Sequence, residues 1–289
     1  MFKFKKIITV VVTGVFAISA SALELTVINT GSKTGSNSVE SASYAQDLSA
    51  KHTVEFINPG DGCAAYSIIA RTKTPVLFGW ANDREALGRS GKGCATFDAR
   101  PEHIIRFTAE PMYVCSISHT ASEFTKRGES RRVGHTTPAF AFGRTVRAVN
   151  ESFGTNHKSI TYDGTGAAKT ALLNGEVDYA FLSVKWAKEI QANNGKCLYA
   201  MSDEDQLGIP AIGKLAPSNK KLIIGNASVW VLVNADANTV DIIRKDIRKI
   251  HDNPESAYNK AFRNSIIVNW NKTPEQQKES WEISVENMR

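Results

Sequence analysis

The chain has 289 residues, 42% of them hydrophobic, with 35 Lys and Arg against 29 Asp and Glu; it can bury a large core and is near the size at which one core divides into two. Setting aside the first 22 residues removes three lysines and no acid, so the formal charge falls from +6 to +3. So mild a surplus, with no Arg/Lys block and no aromatic ladder, argues against nucleic acid as a partner and is compatible with an anionic ligand without requiring one.

Lys3, Lys5 and Lys6 precede an uncharged stretch, and Ala20-Ser21-Ala22 supplies a small-x-small cleavage pattern. This predicts a signal peptide over residues 1–22, cleaved near Ala22, and export to the periplasm. The uncharged stretch is shorter than the roughly 20 residues that a membrane span needs. No cysteine follows the cleavage point, which argues against a lipid-anchored start.

Beyond it, residues 25–30 read as a strand and 38–50 as a helix with Ser36 or Asn37 as cap. A strand at 53–58, a helix at 63–71 after the turn "NPGDG", and a buried strand "PVLFGW" at 75–80 follow. Strand-helix-strand-helix-strand implies a parallel sheet with crossover helices. The pattern is indistinct from 92 to 109. "PMYVCSIS" at 111–118 is again a strand, and a second series begins: strand 131–135, helix 138–150, strand 158–162, helix 167–173, strand 177–182, helix 184–192, strand 197–202. An apolar run at 228–235 then precedes helices at 239–252, 254–263 and 274–287.

These elements predict an α/β chain that crosses twice between two lobes, with residues 23–115 and 230–289 forming lobe 1 and 116–229 forming lobe 2. Ligands of open α/β sheets bind beyond the carboxyl ends of the strands. The loops at 30–38, 80–83, 135–138 and 163–167 would therefore face a cleft.

The first of these, "NTGSKTGSNS" at 29–38, has the glycines of a phosphate-binding loop. Lys33 precedes Gly35, however, and no lysine follows it, so the nucleotide motif fails. What remains is a Gly/Ser loop running into a helix start, which suits an anion of any kind; an ordinary capped turn has the same composition. Lys33 and Arg84 are candidate charge partners. Trp80 reads as core or as the floor of a pocket, Tyr162 as strand packing or as a donor at the cleft mouth, and Asp178 as structural.

Cys63, Cys94, Cys115 and Cys197 make an even count in an exported chain, which favours disulfides with three possible connectivities. Proximity in sequence favours Cys63 with Cys94 and Cys115 with Cys197. Zinc is disfavoured, since no Cys-x-x-Cys occurs and the histidines are scattered; no cofactor is expected.

The segment "YDGTGAAKTALLNGEVDYAFLSV" at 162–184 resembles the solute receptors of tripartite tricarboxylate transporters, the Bug-type periplasmic binding proteins. Tyr162, Gly164, Leu172, Leu173, Gly175, Val177 and Asp178 stand at the matching places. The Gly-rich first loop, the turn with Asn58, Pro59 and Gly60, and "GIPAI" at 208–212 follow in the family's order. The first loop lacks the family's common proline-glycine-glycine, and residues 81–103 match poorly.

The resemblance implies a two-lobed type II periplasmic-binding fold with a ligand cleft between the lobes, a monomeric receptor that is not an enzyme, and a small organic anion as ligand. It also implies delivery of a mono- or dicarboxylate to a cognate membrane transporter. On this resemblance lobe 1 contributes Ser32, Thr34, Gly35 and Ser36. Lobe 2 contributes His135, Thr136, Thr137, Gly164, Thr165 and Gly166, with Trp80 and Tyr162 as further candidates. The alternative is an exported hydrolase with a two-lobed α/β fold. Gly-x-Ser-x-Gly and His-Glu-x-x-His are absent, and the Ser218-x-x-Lys221 match lacks companion motifs. Paired carboxylates for glycoside cleavage stay open, as does a purely structural or adhesive secreted protein.

Overall fold

The structure, a computed structural model, describes residues 22–81, 103–136, 141–216, 225–262 and 273–286. Residues 1–21, where a signal peptide was expected, and Arg84, Cys94, Thr137 and the Ser218 and Lys221 pair lie outside these residues.

The chain forms two five-stranded sheets. The first takes β1 (Glu24–Ile28), β2 (Thr53–Ile57), β3 (Val76–Ala81), β4 (His103–Pro111) and β10 (Gly225–Val233) in the order β2-β1-β3-β10-β4. The second takes β5 (Tyr113–Ser116), β6 (Arg132–His135), β7 (Lys158–Thr161), β8 (Tyr179–Leu182) and β9 (Lys196–Ala200) in the order β7-β6-β8-β5-β9. The orders correspond strand for strand. In each sheet three parallel strands are followed by an antiparallel one, β10 in the first and β5 in the second. The chain passes between sheets at Met112 and returns before Gly225; the expected lobe divisions at 115/116 and 229/230 fall inside β5 and β10.

Strand periodicity builds the cores. In the first sheet Ile28, Val76, Phe78, Val229 and Val231 face one cluster, while Val27, Leu77, Trp230 and Leu232 face another, as the period-two alternation of a strand requires. The first of these clusters continues through Met112 to Val114, Phe181 and Tyr199 of the second sheet.

Crossover helices cover the sheets: α1 (Ser36–Leu48), α2 (Gly62–Ile69), α3 (Ala121–Phe124), α4 (Ala141–Phe153), α5 (Thr165–Leu173) and α6 (Val184–Ala192). The C-terminal α7 (Ala237–Asp252), α8 (Ala257–Phe262) and α9 (Pro274–Glu286) complete the first lobe. α7 buries Val240, Ile243, Ile247 and Ile250, one apolar stripe at helical spacing, and α9 sets Trp281 and Val285 into the core beside β4 and β10. No helix among the described residues is long and apolar enough to cross a membrane.

Two features tie the lobes internally. Cys115 and Cys197, cross-strand partners on β5 and β9, form a disulfide. Cys63 is also disulfide-bonded, and its expected partner Cys94 lies outside the described residues. In lobe 1 the fully buried Arg106 of β4 pairs with Glu40 of α1 at 2.5 Å and donates to Tyr44 and Tyr258 at 2.7 and 2.8 Å. His251 of α7 stands 2.6 Å from the Tyr44 hydroxyl. Burial, and then the Arg106 charge, push the His251 pKa down to about 2, so it is neutral in this network.

Candidate ligand cleft

The segments that follow β1, β7 and β8 come together between the two sheets, beyond the carboxyl ends of parallel strands. The loop after β1 is braced by asparagines. Asn29 accepts from the Gly31 amide at 2.8 Å and donates to the Asn58 side chain at 2.8 Å, while Asn58 donates to Ser38 Oγ at 3.1 Å. Asn37 donates to Thr30 Oγ1 at 3.2 Å, and Thr30 donates to the Gly79 carbonyl of β3. The turn that precedes α1 is thus fixed from within lobe 1.

Across from it stands the start of α5. Thr34 Oγ1 donates to the Asp163 carbonyl, a direct bond between the lobes. A Cβ at Gly164 would lie 2.2 Å from Ser32 Oγ, and one at Gly166 only 2.0 Å from the Thr34 carbonyl. Gly164 also sits at φ +89, where a side chain is strained. Glycine at both positions is therefore what lets the loops touch.

The helices that begin here share a further property. α1 has Gly35 at its N-cap and α5 has Gly164, and neither receives a side-chain cap. Ser183 at the start of α6 makes no capping bond although a serine can. Ser32 Oγ and Ser183 Oγ are buried without a hydrogen-bond partner. First-turn N–H groups and the positive end of the helix dipole favour an anion at such a place, and the donors assembled here are neutral amides and hydroxyls.

The sequence-predicted residues separate under this geometry. Ser32, Thr34, Gly35, Ser36, Gly164, Thr165 and Gly166 come together at the two facing helix starts. His135 is fully buried, and its ring nitrogens meet the Thr136 carbonyl and Ser159 Oγ. Burial holds its pKa below the ordinary value, opposed by the bond to Thr136. Thr136 is half-buried beside it. The Tyr162 ring lies over Gly134 and its hydroxyl faces Glu176. Trp80 packs against Tyr66 at 4.7 Å within the core. Lys33 is exposed with its stem over Gly60.

Asp178 has the structural role expected of it, accepting from the Arg132 amide at 2.8 Å. Burial opposes its ionisation, but the bonds from Arg132 prevail and lower its pKa. Ser183 and Trp186 were not singled out by the sequence, because a serine before a helix reads as a cap and a tryptophan at the third position as core. No group of His, Cys, Asp and Glu suited to a metal occurs among the described residues.

No protein-family model matches the chain, and no curated protein matches it in sequence. Solved structures do. The periplasmic binding protein BugD aligns at 16% identity over 93% of this chain and 95% of its own, with a TM-score of 0.69. MatC from Rhodopseudomonas palustris, solved with malate, aligns at 14% identity over 93% and 98%, TM-score 0.65. An R. palustris protein solved with adipate aligns at 13% identity over 92% and 94%, TM-score 0.66. The chain therefore has the two-lobed α/β fold of the Bug-type solute-binding proteins over nearly its whole described length.

Proposed function

We propose that the chain is an exported solute receptor that closes two lobes on a small organic anion, a mono- or dicarboxylate. In this reading it delivers the anion to a membrane transporter of the tripartite tricarboxylate class. The observation that carries this is the pair of helix starts, α1 and α5, that face each other uncapped and touch through Thr34 and Asp163. A carboxylate placed between them would accept hydrogen bonds from both lobes at once, each charge-assisted bond contributing about 1.5–3 kcal/mol. The ligand touches both lobes only when they are together, so binding shifts the population to the closed form. The malate and adipate of the structural relatives support the ligand class. Residues 1–22 act as the signal peptide in this reading, and the receptor works in the periplasm.

The test is thermal unfolding of residues 23–289 against organic acids, amino acids, sugars and phosphates. At 100 times the dissociation constant a ligand stabilises by about 2.7 kcal/mol, which moves the melting midpoint of a protein this size by several degrees. A shift confined to carboxylates is expected. A flat response to every acid contradicts the reading.

A further inference from the structure

We propose that Ser183 and Trp186 form a second acceptor-binding point in the cleft, which makes the receptor selective for ligands with two acceptor ends, dicarboxylates over monocarboxylates. The inference rests on the receptor reading and specifies its substrate. Ser183 and Trp186 are each only 8% exposed, and Ser183 Oγ and Trp186 Nε1 are both buried with no hydrogen-bond partner. A buried donor left unpaired costs about 1–3 kcal/mol. Two of them within one helical turn are what a site keeps for a group that arrives from outside.

Their position is given by the fold. Ser183 ends β8 at the carboxyl edge of the second sheet and begins α6, and its hydroxyl leaves the α6 amides uncapped. Trp186 stands at the third helical position, next to Ser183 on the helix surface. Its Cζ2, the ring carbon on the N–H side, would lie 3.5 Å from a Cβ on Gly166, the residue that meets Thr34 of the other lobe. The indole edge therefore borders the contact between the lobes, beside the facing starts of α1 and α5.

The electrostatics select an anion. Lys169 and Lys185 place their ammonium groups 4.4 and 4.0 Å from the Trp186 ring centre. Both also reach one carboxylate, Glu189, at 2.8 and 2.7 Å. The three groups sum to one positive charge beside the ring. Cations on an aromatic face draw electron density from it, which strengthens the indole N–H as a donor. Because the lysines are held by Glu189, the ligand meets neutral donors backed by a positive field.

The experiment is calorimetric titration of residues 23–289 with succinate and adipate, and with butyrate and hexanoate as their monocarboxylate counterparts. The unaltered protein, Trp186→Phe and Ser183→Ala are compared, each first shown to melt cooperatively. The unaltered protein is expected to favour one dicarboxylate over its counterpart by at least about tenfold, the size of one good hydrogen bond to a charged group. That ratio falls at least about fivefold in Trp186→Phe and less in Ser183→Ala. A ratio unchanged in both variants overturns this inference and leaves the receptor reading intact. Binding of no acid by the unaltered protein overturns both. Should Trp186→Phe not fold, Ser183→Ala decides the matter alone.

Discussion

Among the described residues the starts of the α-helices fall into two groups, and the difference between them carries the proposed site. α2 is capped by Asp61, whose carboxylate accepts from the Cys63 and Ala64 amides at 3.1 and 3.2 Å. α7 is capped by Asp236 and α3 by a reciprocal Thr120 and Glu123 box. Thr273 and Gln276 do the same for α9, and Asp47 reaches across from α1 to cap α8. α1, α5 and α6 have no side-chain cap, and all three begin at the carboxyl ends of strands that meet between the lobes. Where the chain supplies its own oxygen, a helix start is a structural joint. Where three starts go without one around a common contact, the proposed carboxylate would bring the missing oxygens.

The two groups can be pulled apart experimentally. α1 stays in place despite its bare start because its interior is pinned by the Glu40 and Arg106 pair. Glu40→Ala leaves Arg106 buried without a counter-charge and should cost about 3–5 kcal/mol, a drop in melting temperature of roughly 10 °C. A loss under 1 kcal/mol by urea titration would mean that α1 is held some other way.

Gly166→Ala places a methyl against the Thr34 carbonyl of the opposite lobe. Because the clash exists only when the lobes meet, carboxylate affinity should fall at least about 100-fold, or ~2.7 kcal/mol. The melting point without ligand should barely move. Calorimetry and unfolding together check both halves.

The pH dependence comes from buried histidines, chiefly His251 of lobe 1. Burial, then the Arg106 charge, lower the His251 pKa to about 2, and burial also lowers those of His135 and His157. Below the ordinary value near 6.5 the unfolded chain binds protons that the folded chain refuses. This stability is therefore complete above pH 6.5 and is lost as pH falls, by up to about 1.4 kcal/mol per unit for His251. Urea midpoints at pH 7.5 and 5.5 measure it, and His251→Gln should flatten the decline; an unchanged slope contradicts the assignment.

The smallest effects define the comparison most sharply. Asp236→Ala at a capped start should cost about 1 kcal/mol of stability and leave ligand affinity alone. Ser36→Ala and Thr165→Ala at the bare starts should do the reverse, weakening carboxylate binding several-fold with melting points within about 1–2 °C. Loss of stability without loss of affinity at Ser36 would place α1 in the structural group.

Much of this was legible in the sequence, for identifiable reasons. Buried strands with apolar runs, such as 75–80 and 177–182, and loops of glycine and hydroxyl residues announced both the sheets and the facing helix starts. The pairing of Cys115 with Cys197 was also readable. β4 was not, because "HIIRFTAEP" carries Arg106 in a position that a sequence assigns to solvent; only the tertiary gathering of Glu40, Tyr44 and Tyr258 makes it a core residue. The family resemblance put His135 among the cleft residues, and nothing in the sequence told of its packing. Its partner Ser159 lies on the neighbouring strand, a pairing that only the register of β6 on β7 reveals. Ser183 and Trp186 were hidden for the opposite reason: each has an ordinary explanation, cap and core, and only unused donor atoms next to the contact between the lobes distinguish them.

The central claim is that a carboxylate docks on the bare helix starts, and backbone amide resonances report this directly. In a succinate or adipate titration of isotope-labelled residues 23–289, the account predicts that the amides of Gly35, Ser36, Thr165 and Gly166 move furthest, while those of Cys63 and Thr239 at capped starts stay put. Saturable shifts that centre on any other surface, with these four amides unmoved, would contradict it.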